Sequence, residues 1–481
     1  GVDDWQKVFE TAGFKNAIYA KMPPTKEEDP EFSMEDIRYS SIRYVASTTR
    51  NATGPSVSDP RTGEIIESDI IWYHNHLRSY RNRYLLETGA ANPSARTLDT
   101  KPEEIGEMMR MVIAHEVGHA LGLPHNMAAS FAYPVDSLRS GKFTQKYGIA
   151  ATIMDYARYN YIAQPGDKNI RFIRQLGPYD HYAINWGYRR IPKAKQPKDE
   201  VKTLDKWISE KANDPKYRFG GKRFDPSSQT EGIGNDQVMA STYGIKNLKI
   251  VAKNLPEWTS DQTNNYEDLS ELYGELLSVW NRYVGHVAGN IGGVYEFNKK
   301  PEQKGNVYET VAKNRQIASL NWLLKNTFDT QRWLLDKNIL NKIDETGYSD
   351  RILKYQNRHL YSLLNVKTLK RMIDAEVIET EFYAVSDMIK TLRKGVFSEA
   401  KKTQNVDLFR RNLQKSFIDR MGVLMNDSDT KKTDISSIVR GELVTLKYII
   451  SIANKRAIST MTKYHYRDCI HRIETLLNPI K

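Results

Sequence analysis

The stretch His115-Glu-Val-Gly-His119-Ala-Leu-Gly122-Leu-Pro-His125 constrains this chain more than any other, because its histidine spacing serves one local geometry. Histidines four apart on a helix project from one face, about 40° apart, so both imidazoles can reach a single ion. Gly122 lets the chain leave the helix in a conformation closed to most side chains, and that turn brings His125 back beside the pair. Glu116 is offset around the helix, near enough to touch a water on the ion and not placed as a ligand. Three imidazoles with a fourth position left open is the ligand arrangement of a catalytic zinc site. A lone pair of histidines four apart would read as two surface side chains. Here five motif positions are filled together, and three of the ten histidines fall in one stretch.

The helix that must carry this motif is legible upstream. Thr100-Lys101-Pro102-Glu103 has capping-box spacing with Pro allowed in the first turn. Behind it Ile105, Met109, Val112, Ile113, Val117, Ala120 and Leu121 recur at helical intervals, and Gly122 offers a stop. Downstream lies Ala151-Thr-Ile-Met154-Asp-Tyr156, about thirty residues after His125.

HEVGHALGLPH followed by TIMDY resembles the metzincin clan of zinc endopeptidases, whose extended zinc signature precedes a tight turn bearing a Met beneath the metal. The resemblance implies that Met154 is that Met and that Tyr156 can approach the metal and stabilise an oxyanion. It implies zinc as the one cofactor, with His115, His119 and His125 as ligands and Gly122 and Met154 shaping the site. Glu116 is then the general base. More narrowly, AGF near the start, GPSVSDPRTGEI, HEVGHALGLPHN, TIMDY and LGPYDHYAINWGY look like the metzincin domain of large exported bacterial zinc-dependent proteins with N-terminal domains of unknown function. Periplasmic, outer-membrane-attached or extracellular placement is implied by that resemblance, as is a substrate lying extended along an edge strand. By order, that edge is Gly54 to Ser58 or Arg43 to Thr48. The expected mechanism is hydrolysis of a peptide bond by zinc-activated water.

Around this site the sequence reads as an α+β domain, a twisted mixed sheet with an active-site helix, followed by a mostly α-helical domain. Residues 3–14 form a short helix burying Trp5, Val8, Phe9 and Ala12. Strands are expected over Arg38 to Thr48 and Gly63 to Tyr73, with the short piece Gly54 to Ser58 between them. The resulting division is 1–192 catalytic, 193–255 connector and polar Gly-rich loops, and 256–481 all-α. Within the last part helices are expected near 266–285, 307–335, 350–375, 380–395, 405–425 and 435–477. Metzincins begin with a strand, whereas this chain opens on a helix. Its Gly1-Val-Asp start reads as a processed fragment lacking N-terminal domains.

Composition narrows the partners. With 40% hydrophobic residues and no run of about 18 apolar ones, the chain has core enough to fold and no membrane span. The +12 charge is spread among many acidic residues without a nucleic-acid motif, so protein or peptide substrate is expected and nucleic acid is not. The single Cys469 reads as a buried inert thiol. His74 and His76 alternate on an expected strand end (Tyr73-His-Asn-His76) and read as surface or loop residues in preference to a second metal pair or a cleft lining, and His181 reads as packing behind the Met-bearing turn. Asp155 and Asp180 are candidates to hydrogen-bond the ligating imidazoles. Asp225 to Asp236 lacks the central Gly of a calcium loop and reads as a polar loop. Two other functions fit less well: a binding or scaffold protein with a vestigial zinc site, and a zinc amidase acting on a non-protein amide such as cell-wall peptide.

Overall fold

The computed structural model describes residues 1–221, 224–260 and 265–478. The fold is α+β as expected. A small mixed sheet lies beside the motif-bearing helix, and most of the remainder is helical.

The opening helix is a 3-10 turn (Asp3–Trp5) running into α1 (Gln6–Thr11). Four strands follow: β1 (Ser41–Val45), β2 (Ala52–Thr53), β3 (Ser56–Ser58) and β4 (Ile65–Tyr73). β4 is central. β1 lies parallel to it with Ile42 opposite Ile70, and β2 and β3 lie antiparallel to it. The pairs Ala52–Trp72, Thr53–Ile71, Ser56–Ser68 and Val57–Glu67 keep one register, so β2 and β3 are a single edge interrupted at Gly54-Pro55. Alternation along β4 turns Ser68, Ile70 and Trp72 inward and leaves the other face half-buried, the period-two pattern of a one-sided sheet.

Next come α2 (His76–Thr88) and α3 (Pro102–Ala120). α3 carries the motif and sits in the core with Trp5, Val8, Phe9, Ile70, Trp72, Met108, Met111 and Val112. The capping box expected from Thr100 is absent. Pro102 takes the first helical position, which makes Lys101 the N-cap and moves the Thr100 hydroxyl one residue outside capping range. Glu103 and Glu104 in the first turn complement the helix dipole instead. α2 corrects the reading of Tyr73-His-Asn-His76 as a strand end: the strand stops at Tyr73, and His76 opens a helix.

The first compact unit comprises Gly1–Arg223, Ser227–Val279 and Glu296–Val307. Besides these elements it includes α4 (Gly141–Tyr147), α5 (Pro178–Tyr188), α6 (Val201–Lys211) and α7 (Gln237–Trp258). α8 (Glu267–Ala288) follows, and β5 (Val294–Glu296) pairs with β6 (Tyr308–Thr310).

The second unit comprises Phe224–Pro226, Trp280–Tyr295 and Tyr308–Lys481. Its helices are α9 (Lys313–Leu323), α10 (Lys337–Ile343), α11 (Tyr348–Leu363), α12 (Val366–Ile378), α13 (Val385–Val396), α14 (Ser398–Lys402), α15 (Leu408–Asn426), α16 (Asp434–Arg456) and α17 (Thr460–Leu477). α15 packs against α11, α13, α16 and α17. Along α16 the buried residues Ile435, Val439, Leu443, Leu446 and Ile450 recur three or four apart, the stripe that seats a helix in a bundle. The expected helices 350–375 and 435–477 are each two helices. The second breaks after Arg456, and α17 restarts on the Ser459 cap.

Candidate metal centre

The end of α3 is built to hold two imidazoles. The Leu123 N–H donates to Gly118 O and the Gly122 N–H to His119 O, both at 2.9 Å, with Gly122 at φ 84°. That is a Schellman stop, the ending for which glycine at this position is suited. The same turn brings Leu123 O to 2.8 Å from His119 Nδ1. His115 Nδ1 lies 2.8 Å from Ile153 O in the Met154 turn. A carbonyl can only accept, so each Nδ1 carries the hydrogen and each Nε2 is left with its lone pair free.

Those lone pairs converge. His125 Nε2 lies 3.2 Å from His115 Nε2 and 3.0 Å from His119 Nε2. One imidazole hydrogen cannot satisfy both neighbours, and burial disfavours charging any ring. Desolvation holds His125 down to about 4, lowers His119, and puts His115 well below its usual range. Three neutral donors facing one point suit a cation. Tetrahedral zinc with nitrogen ligands at about 2.0–2.1 Å sets the nitrogens about 3.3 Å apart, close to the spacing present. The donor set fits zinc. Among the described residues it is the one cluster of three or more metal-ligating side chains.

Glu116 is buried beside this triad. Burial pushes its carboxyl up to about 7, against the opposing charges of Arg174 and Arg158. None of the described residues hydrogen-bonds its carboxylate. Gly54 of the edge strand lies over it: a Cβ there would fall 2.7 Å from Glu116 O and 3.2 Å from Glu116 Oε2. A glycine inside a strand marks such a close backbone approach.

The Met154 turn lies beneath. Met154 is buried, and its N–H donates to Thr152 Oγ1 at 3.0 Å. Tyr156 packs its ring 4.3 Å from that of His125 and 5.4 Å from that of His115, with the Arg158 guanidinium 4.8 Å from its ring centre. Asp155 and Asp180 do not touch the imidazoles; both grip the turn. Asp155 accepts from the N–H groups of Ser130 (2.8 Å) and Ala157 (2.9 Å). Asp180 accepts from those of Ile153 (3.0 Å) and Gly177 (2.7 Å) and from the Thr152 hydroxyl. Burial raises both carboxyls to about 6.

Arg174 was not legible as part of this site. It is buried and donates from Nη1 to Ile153 O at 2.9 Å, the carbonyl that also orients His115. Its one sequence signal is a cation interrupting the apolar run Phe172-Ile173. His76 is buried against Trp72 and Tyr80, and burial lowers it to about 4; His74 instead bonds the Tyr44 hydroxyl. His181 meets Thr11 Oγ1 at 3.1 Å. In the expected polar loop, Glu231 pairs with Arg83 and Arg158, and Asp236 caps α7 at Met239 N–H. Cys469 is buried, and burial pushes its thiol up to about 12.

A helix ending in a glycine stop, three converging imidazoles and a methionine turn beneath them define a metzincin-type zinc metallopeptidase domain. A family model described as Met-zincin matches residues 97–404, and the chain belongs to that family. No curated protein and no solved structure matches it.

Proposed function

We propose that the chain is a zinc-dependent endopeptidase, with His115, His119 and His125 as ligands, Glu116 as general base and Tyr156 assisting. The observation that carries the reading is Glu116, a buried carboxylate that no described residue hydrogen-bonds, one residue from His115 and lying under the sheet edge at Gly54. Zinc, when bound there, supplies a Lewis acid that polarises a carbonyl and acidifies water.

Glu116 accepts a proton from water attacking the peptide carbonyl carbon and delivers it to the leaving amine. Its raised proton affinity suits it to both tasks near neutral pH. Tyr156, packed near the His125 ring and the Arg158 guanidinium, donates to the developing oxyanion. The edge Gly54–Ser58, exposed over Ser56–Ser58, pairs with an extended substrate backbone by strand addition. Gly122 and Met154 set the shape of the site. The catalytic residues in this reading fall within 1–192, inside a compact unit that also takes in Ser227–Val279 and Glu296–Val307. No helix among the described residues is long and apolar enough to cross a membrane. The resemblance to exported bacterial proteins extends the proposal to action outside the cytoplasm.

The test is cleavage of a denatured protein by the purified chain, with zinc removed by chelator and then restored. Zinc-dependent cleavage that Glu116→Gln abolishes, with zinc still bound, supports the reading. Full cleavage by Glu116→Gln overturns it.

A further inference from the structure

Two of the three imidazoles owe their orientation to a backbone carbonyl on Nδ1, Ile153 O for His115 and Leu123 O for His119. His125 does not: no described residue hydrogen-bonds its Nδ1, and it lies on a loop beyond the end of α3. Its ring is placed by the backbone that carries it and by the Tyr156 ring 4.3 Å away. That backbone is fixed at the next residue.

Asn126 is fully buried, and all of its polar atoms in reach are committed. Its N–H donates to Met154 O at 3.2 Å, tying it to the turn beneath the site. Its Nδ2 donates to Arg218 O at 2.9 Å, and its Oδ1 accepts from Gly220 N–H at 3.1 Å and Ala128 N–H at 3.3 Å. Met127 N–H returns a bond to Gly220 O at 3.1 Å. One amide thus bridges the third ligand's loop to a segment more than ninety residues downstream. Gly220 permits the approach, since a Cβ there would lie 3.0 Å from both Ala128 Cβ and Ser228 Oγ. Arg218 is anchored in turn, donating to Ser227 Oγ at 2.7 Å and Glu296 O at 2.6 Å.

We propose that Asn126 is a positioning residue for the metal centre: by clamping Met154, Arg218 and Gly220 it holds His125 where its Nε2 meets the other two. The proposal rests on the three histidines binding zinc and not on the reaction they support. A ligand already in place loses little freedom on binding, so the clamp raises zinc affinity by preorganisation. Partners beyond the ligands themselves act on affinity in this way.

The test is zinc affinity of the intact chain, measured by competition with a chromophoric chelator for wild type, Asn126→Ala and Asn126→Asp. The visible spectrum of the cobalt-substituted protein and the melting temperature in excess chelator are recorded beside it. Wild type is expected to bind one zinc, and both variants to bind it about ten- to a hundredfold more weakly with altered cobalt bands. Altered bands report ligand geometry, which loss of fold stability alone would not change. Should Asn126→Ala fail to fold, Asn126→Asp keeps the size and the Oδ1 acceptor and sets a second acceptor oxygen against Arg218 O in place of the donation. Wild-type affinity and cobalt spectrum in a folded variant overturn the proposal. A wild-type chain that takes up no zinc overturns it together with the metal site. Zinc binding without peptide cleavage defeats only the peptidase reading, because the affinities still decide the role of Asn126.

Discussion

Gly118 on α3 and Met154 in the turn below occupy complementary space: the Met154 sulfur lies where a Gly118 side chain would begin. A Cβ at Gly118 would also fall 3.2 Å from Met154 Cε and 3.1 Å from the Trp5 ring. The second variable position of the histidine motif is therefore a notch that seats the turn against the helix between the two helical ligands.

Filling that notch is expected to cost stability. Gly118→Ala overpacks a buried contact and should lower the unfolding free energy by about 1–3 kcal/mol. Met154→Ala leaves a cavity and should cost about 2–5 kcal/mol. The two share one contact, so the double variant should be less destabilised than the sum of the singles. Urea titrations of all four chains measure this, and strict additivity would refute the notch.

Gly54 makes the corresponding contact from the sheet side. Gly54→Ala must push the edge strand away from Glu116 O and crowd Glu116 Oε2. If the strand and Glu116 act together on substrate, turnover should fall roughly ten- to a hundredfold. Zinc affinity should stay within about twofold, since no ligand is touched. Unchanged turnover would detach the edge from the chemistry.

The motif was legible because its logic is local. Three ligands, a base and a glycine stop fall within eleven residues of one helix and its turn, and the helical period alone places them. Met154 was legible only through resemblance, as nothing in its own neighbourhood says it lies under Gly118. Partners far apart in sequence were not legible at all. Arg174 meets Ile153, Asn126 meets Arg218, and Asp180 reaches back to Thr152 only once the chain is folded. The parallel pairing of β1 with β4 is equally non-local. α2 was missed for a different reason. His76–Thr88 mixes four arginines or histidines with buried tyrosines and leucines, so its apolar face is too irregular to stand out.

Asp180 fastens the turn to the start of α5, accepting from Ile153, Gly177 and Thr152 while fully buried. Asp180→Asn replaces one acceptor oxygen with a donor and sets it against groups that themselves donate. The cost should be about 2–3 kcal/mol, the loss expected where a charged acceptor leaves donors unmet. Because Ile153 O orients His115, zinc should also dissociate faster. Thermal unfolding and zinc-release kinetics read the two effects separately, and a variant with wild-type values in both would remove Asp180 from the scaffold.

In the second unit a histidine unconnected with the metal should contribute to acid sensitivity. His359 is buried, with Nε2 2.8 Å from Asn281 Oδ1, and burial together with the nearby Arg358 charge lowers it to about 3. The neutral ring is the form the fold accepts, whereas the unfolded chain takes up a proton at about pH 6.5. Its stabilising contribution is present above pH 6.5 and is lost as pH falls toward 3, at about 1.4 kcal/mol per pH unit for the one group. His465, buried against Gln414 and lowered to about 4, acts in the same direction. Asp155 and Asp180 oppose it: raised to about 6, they favour the folded state as pH falls below that value. His359→Gln keeps an amide able to bond Asn281 and cannot titrate. Zinc-free variant and wild type should differ in the slope of stability against pH between 6.5 and 4, the variant being flatter by about 1.4 kcal/mol per unit. Parallel slopes would mean that the His359 ring takes up its proton without leaving the fold.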